Sequence, residues 1–220
     1  MSFFSIDSIF FEIWGYPMSY LEFFGTVAGA VAVWLAARAN IWSWPIGLIN
    51  VTLFFFLFFQ VQLYPDMFLQ VFFFVTNLMG WWRWTHPKPY EEDRKHELKI
   101  SFMPIRQLII FSTIGLAGTL VMGSLASNLH EWIPKIFSQP SAFPYLDSFV
   151  TVMSIVATFL MIHKKIECWA IWIMVDVVAT SLYFAKGIKF VGVEYLAFCF
   201  LAAFGLWRWL REYRSYPQVA

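Results

Sequence analysis

Charged residues are scarce in this chain: 13% of its 220 residues are Asp, Glu, Lys or Arg, against roughly 25% in ordinary soluble domains. The hydrophobic share is 60%, more apolar surface than a soluble core of this size can hide, so the chain is read as a membrane protein. A net charge of +1 leaves no global field of either sign, which argues against nucleic acid as a partner. No Lys or Arg falls in the middle of any apolar run, so a cavity between helices lacks the usual clamp for phosphate. His86, His96, His130 and His163 all fall in loops or at the ends of runs. No His/Cys/carboxylate cluster has metal-ligand spacing, which disfavours an intramembrane hydrolase and any metal or cofactor centre. A G-x-x-x-x-G-K-[ST] loop is also missing, so any ATP energy would come from another protein. The two cysteines, Cys168 and Cys199, both lie in apolar runs and read as buried, inert thiols.

What is present is a series of long apolar runs, near 19–37, 42–60, 66–84, 105–127, 146–163, 167–186 and 190–210. Each is long enough, at 1.5 Å per residue, to cross about 30 Å of hydrocarbon, which predicts seven transmembrane helices. Residues 1–16 set Phe3, Ile6, Phe10 and Ile13 among Ser2, Ser5, Asp7, Ser8 and Glu12. That amphipathic pattern is too short and acidic to span and suits the membrane interface; having no Lys or Arg, it is not a secretory signal and is expected to be retained. Sorting the basic residues by the resulting loops puts twelve on one side and only Lys135, Lys186 and Lys189 on the other. The positive-inside rule then places the N-terminus outside and the C-terminus in the cytoplasm.

An internal repeat organises these runs. Shifting the chain by 125 places lays Tyr20-Leu21-Glu22 on Tyr145-Leu146-Asp147, Trp44 on Trp169, and Gly80-x-Trp82-Arg83-Trp84 on Gly205-x-Trp207-Arg208-Trp209, without a gap. A small membrane alphabet explains matching Leu and Val, but hardly Trp, Arg and Gly at one offset. Three helices repeat and one, near 105–127, is left between them. Parity makes the copies parallel, so the expected fold is all-α, a 3+1+3 duplication. The predicted segments are an interfacial stretch 1–18, a first repeat 19–84, a basic loop with linking helix 85–127, an outer loop 128–143, a second repeat 144–210 and a tail 211–220. Parallel repeats suit transporters in which two bundles rock about a site between them. The tryptophans of the shared Gly-x-Trp-Arg-Trp ends read as anchors at headgroup level, with Arg83 and Arg208 in the cytoplasm.

Chemistry is expected where the copies carry polar groups. At helical spacing Trp169, Trp172, Asp176, Thr180 and Tyr183 share a face. A carboxylate about ten residues from either end of a span costs roughly 2.5–3.5 kcal/mol unless it faces protein or water. Indole faces and a carboxylate together suit a flat, cationic aromatic ligand. In the first copy Asp66, Gln70 and Asn77 share a face of the third run, and Trp44 and Asn50 flank Gly47 on the second. The plainer account of the amides is interhelical hydrogen bonding, worth about 0.6 kcal/mol per pair in membranes; Gln70, nearer mid-membrane, reads as a ligand contact. Tyr195 matches Gln70 in register and joins the candidates, whereas neighbouring Glu194 reads as solvated. The Phe-rich runs read as core or lipid contacts.

The order Trp44-Pro45-x-Gly47 with Asn50, the third-run amides, the Gly-Trp-Trp-Arg-Trp end and the later Trp-x-x-Trp-x-x-x-Asp helix resembles the PnuC family of bacterial vitamin transporters over essentially the whole chain. The resemblance implies seven helices on a SWEET-like plan in the inner membrane. It also implies uptake of nicotinamide riboside by facilitated diffusion, trapping by a cytoplasmic riboside kinase, and a homotrimer. That ligand is a cationic pyridinium without phosphate, as the residues suggest. Other readings are a carrier of thiamine, also a cationic aromatic, a sugar carrier, or a membrane scaffold or sensor whose polar residues only join helices.

Overall fold

A computed structural model describes residues 5–13, 15–62, 64–93, 95–132, 141–187 and 189–216. Phe3, Arg94, Lys135 and the side chains of Ile13, Asp66 and Lys189 lie outside what it describes. Seven long helices form, α1 Tyr20–Ala37, α2 Ser43–Gln60, α3 Tyr64–Thr85, α4 Ile105–Trp132, α5 Pro144–Ile162, α6 Glu167–Ala185 and α7 Lys189–Arg214. They fall in two compact units, 1–99 and 100–220. Six helices are long and apolar enough to cross a membrane among the described residues; α3 is not one of them. Its Asp, Gln, Asn and Arg dilute the apolar run that otherwise matches its neighbours.

The N-terminal segment forms a small antiparallel hairpin, β1 Ile9–Ile13 and β2 Tyr16–Ser19, an addition to the expected all-α fold. Gly15 supplies the positive φ of 81° that a two-residue hairpin turn requires. Ser19 then caps α1, accepting from the Glu22 amide at 3.2 Å, so strand and helix meet without a loop.

Within each unit successive helices pack antiparallel, because small residues let their backbones close up. In the first unit Gly25 meets Phe54 and Gly29 meets Asn50, joining α1 to α2, while Gly47 faces Asn77 and Gly80 faces the Trp44 ring, joining α2 to α3. In the second, α4 turns the buried stripe Gly115, Thr119 and Gly123 toward Met153 and Tyr145 of α5. Its other faces expose Ile109, Leu116, Leu120 and Val121, as a helix in lipid does.

Several details recur 125 residues apart. Trp44 meets Trp84 edge-on at 5.1 Å and 88°, and Trp169 meets Trp209 at 5.5 Å and 86°. Gly80 lies under the Trp44 ring and Gly205 under Trp169. The tight connections match as well. Ala39 and Lys164 take positive φ of 51° and 47°, and Asn40 and Lys165 donate back to Leu35 and Leu160 at 3.0 and 2.9 Å. One expectation is corrected here: Trp84 and Trp209 are completely buried in the protein and do not face headgroups, while Trp82 and Trp207 are exposed. Two residues along a helix is a 200° rotation, so each pair faces opposite ways.

At the end of α3 the chain folds back on itself. Arg83 Nη2 donates to Glu91 Oε2 at 2.7 Å, and the Lys88 amide donates to the same oxygen at 3.3 Å. Burial pushes the Glu91 carboxyl up, but the Arg83 bond, the Lys88 amide and the two nearby positive charges outweigh it and hold the group below the usual carboxylate range. In the second unit residues 100–103 run along the α5–α6 connection. The Ile166 amide donates to Ser101 at 3.1 Å, Lys165 Nζ to the Ser101 hydroxyl at 2.8 Å, and the Met103 amide to Glu167 Oε1 at 2.8 Å.

Candidate functional site

Two polar clusters emerge, one in each unit. In the second unit the antiparallel packing of α6 on α7 is fixed at its ends by Trp169 over Gly205 and by Tyr183 stacked on Tyr195, with centroids 5.3 Å apart and planes 11° from parallel. The two tyrosine hydroxyls are hydrogen-bonded to each other. Between these ends lies Asp176, only 3% exposed. Its carboxyl has neither an ion-pair nor a hydrogen-bond partner among the described residues, yet it lies within electrostatic reach of Tyr195 and Cys199 on α7. A buried carboxylate without a partner is costly, so a cation brought to it would be held strongly.

The other residues of the α6 face separate into different roles. Trp169 is 1% exposed, closed in by Gly205 and Trp209, so its ring is committed to packing α6 on α7. Trp172 is half-buried with an indole N–H that lacks an acceptor, leaving a donor for a bound molecule. Thr180 donates its hydroxyl to the Asp176 carbonyl at 2.7 Å, a bond within its own helix. Thus Asp176, Tyr183 and Tyr195 come together, Trp172 offers a free donor, and Trp169 stands behind as support.

In the first unit Asn50 donates to the Gly25 carbonyl at 2.8 Å, tying α2 to α1. Asn77 donates to Phe73 of its own helix at 2.8 Å, and its carbonyl oxygen rests on Gly47. Trp44 is 5% exposed between Gly80 and Trp84, with its indole N–H also unpartnered. Gln70 lies apart from these, half-buried in an apolar groove with Val51, Phe55 and Phe74 between α2 and α3. The amide of Asn50 is therefore spent on the helix pair, while Gln70 keeps its amide available.

Two further contacts were not legible as functional in the sequence. Glu22 accepts from the Tyr16 hydroxyl at 2.7 Å; partial burial first, and then the Glu22 carboxylate, push the phenol up to about 12, so it remains a donor at any physiological pH. Asp147, the register partner of Glu22, instead pairs with Lys186 at 2.6 Å. The aligned acids were the available signal, but their partners lie on other elements and differ. Cys199 was read only as an inert thiol, and its place beside Asp176 follows from the α6–α7 register.

Comparison with known proteins bears on this arrangement. Residues 19–211 match the family described as nicotinamide mononucleotide transporter. The nicotinamide riboside transporter PnuC of Escherichia coli K12 is 33% identical over 98% of this chain and 97% of its own length. The riboflavin/roseoflavin transporter RibM of Streptomyces davaonensis is 25% identical over 96% and 94%. A crystal structure of the vitamin B3 transporter PnuC superposes with a TM-score of 0.66 at 24% identity, covering 90% of this chain and 83% of that one, which supports the fold.

Proposed function

The chain belongs to the nicotinamide mononucleotide transporter family, the PnuC family, and on that premise we propose that it carries nicotinamide riboside inward across a bacterial inner membrane. The observation that carries this reading is the buried Asp176, its carboxyl without a partner among the described residues, near the Tyr183–Tyr195 stack, a place for a flat cation. The relatives named as riboside transporters support it. Between riboside and mononucleotide, the residues favour the riboside. Arg83 and Arg106 lie in terminal turns of α3 and α4, and Arg208, Arg211 and Arg214 in the last two turns of α7, so no guanidinium reaches a mid-membrane phosphate.

On this reading all seven helices span, as a 3+1+3 parallel duplication with α4 as the link. Its support is the recurrence of the Trp–Trp, Gly–Trp and positive-φ geometry at one offset. The N-terminus lies outside and the C-terminus inside, following the basic residues. The ligand-contacting residues are Trp172, Asp176, Thr180, Tyr183 and Tyr195 of the second repeat and Gln70 and Asn77 of the first; Trp44, Trp169 and Asn50 hold the helices that carry them. Transport is facilitated diffusion, because Asp176 stands alone well inside a span and a coupled proton path calls for a relay. A cytoplasmic kinase then traps the riboside as its phosphate, and the protein works as a homotrimer without itself catalysing a reaction.

The deciding experiment is calorimetry on the purified protein with nicotinamide riboside, the mononucleotide, thiamine and riboflavin. The riboside is expected to bind tightest. Tighter binding of any other member of the panel would overturn the assignment, and no binding of any of them would favour a scaffold.

A further inference from the structure

Cys199 belongs to the face that α7 turns toward α6. Gly192, Tyr195, Cys199, Ala202, Gly205 and Trp209 recur at three- and four-residue steps. Of these, Gly192, Ala202, Gly205 and Trp209 are buried, whereas Tyr195 and Cys199 are only half-buried. The face is therefore held against α6 at Tyr195 and at Gly205, and Cys199 lies between those two contacts. Across from Cys199 stands Asp176, 3% exposed and without a carboxyl partner among the described residues, as the register requires: Tyr183 meets Tyr195 two turns of α6 to one side of Asp176, and Trp169 meets Gly205 two turns to the other. Cys199 lies within electrostatic reach of Asp176.

We propose that Cys199 forms the α7 wall of the ligand pocket whose α6 wall is Asp176, and that its small, soft side chain sets how thick an aromatic cation the pocket accepts. This rests on the reading of Asp176 as the counter-ion to the transported ligand. A thiol is polarizable and occupies little space, so it leaves room beside the carboxylate for a ring where Leu or Phe would not. The sequence offers only one other thiol, Cys168, which is completely buried.

Thiol chemistry tests this on the full-length protein in liposomes. The thiolate attacks the sulfenyl sulfur of a methanethiosulfonate, forms a mixed disulfide and expels methanesulfinate. The cationic ethylammonium reagent and the anionic ethylsulfonate reagent differ mainly in charge, so their rate ratio, divided by the ratio the same pair shows with a small free thiol in solution, cancels both the thiolate fraction of Cys199 and the thiolate's own preference for a cation, and this normalised preference is the readout. A carboxylate facing the thiol predicts that the cationic reagent reacts faster by about tenfold or more. That preference is expected to persist in Cys168→Ala, to collapse toward unity in Asp176→Asn, and labelling is expected to vanish in Cys199→Ala. Saturating nicotinamide riboside is expected to slow labelling severalfold. Cys199→Phe is expected to lose riboside binding while unfolding at nearly the wild-type temperature.

A normalised ratio near one in the wild type, a normalised preference that survives Asp176→Asn, or no labelling of Cys199 would overturn the proposal. So would riboside that binds by calorimetry yet gives no protection. If the riboside fails to bind at all while the charge preference holds, the vitamin assignment falls and the Cys199–Asp176 pocket stands.

Discussion

Replacing Asp176 by Asn keeps the shape of the side chain and removes its charge, which makes it the sharpest perturbation of the site. Asp176 is 3% exposed and its carboxyl has no partner among the described residues, so the cost of burying it is already carried by the protein before ligand arrives. A pyridinium roughly 5–6 Å away at an effective dielectric of about 20 gains about 3 kcal/mol. Stripping water from the ligand cation offsets part of this, leaving about 1–2 kcal/mol net. Asp176→Asn should therefore weaken nicotinamide riboside about tenfold. Neutral nicotinamide shares the ring and the carboxamide but lacks the charge, so its weaker affinity should hardly change. Calorimetry with both ligands on both proteins measures this, and thermal unfolding of the variant checks that the fold survives. Equal losses for the two ligands would refute the counter-ion role and leave Asp176 as a structural residue.

The recurring glycines give a second test: a methyl at Gly80 would strike the buried Trp44 ring and one at Gly205 would stand 2.7 Å from Trp169, so Gly80→Ala and Gly205→Ala should each destabilise by about 1–3 kcal/mol, read as lower unfolding temperatures in detergent. An unchanged unfolding temperature for either would mean that the ring can yield. Asn50→Ala removes the bond to Gly25 and should cost only about 0.6 kcal/mol with riboside affinity retained; a tenfold affinity loss would instead place Asn50 at the ligand. Because the folded Glu91 carboxyl titrates below its ordinary value of 4.5, its pair with Arg83 stabilises fully above that value and fades as pH falls through the lowered one. The unfolding temperatures of wild type and Glu91→Gln should accordingly differ slightly at neutral pH, by less than about 1 kcal/mol, and converge in acid. Riboside entry into vesicles without kinase should persist in the presence of an uncoupler; its abolition would argue for ion coupling.

Much was legible before any coordinates because in lipid a helix must satisfy its own backbone, so apolar length alone reveals it. The runs near 42–60 and 167–186 match α2 and α6 to within a residue, and the duplicate register foretold that whatever Trp44 does, Trp169 does too. Boundaries set by polarity were less secure. Helix α4 continues five residues past its expected end, to Trp132, and α7 continues to Arg214, since Leu, Arg and Glu favour helix whether or not they suit hydrocarbon. Residues 9–19 hid a hairpin inside an amphipathic pattern, since only strand pairing across Gly15 distinguishes it.

Composition and spacing by themselves determined that this is a membrane protein of long apolar helices with one deep carboxylate. Tertiary structure decided what each polar side chain does with that position. Helical spacing puts Trp169 and Asp176 on one face, yet packing against Gly205 and Trp209 closes over the first, while the carboxyl of the second has no partner among the described residues. Asn50 and Gln70 are both amides in apolar runs, but only Asn50 has a neighbouring carbonyl within reach. A sequence records the period of one helix, whereas the register between two antiparallel helices is set by which small residue admits which large ring. That register put Cys199 opposite Asp176.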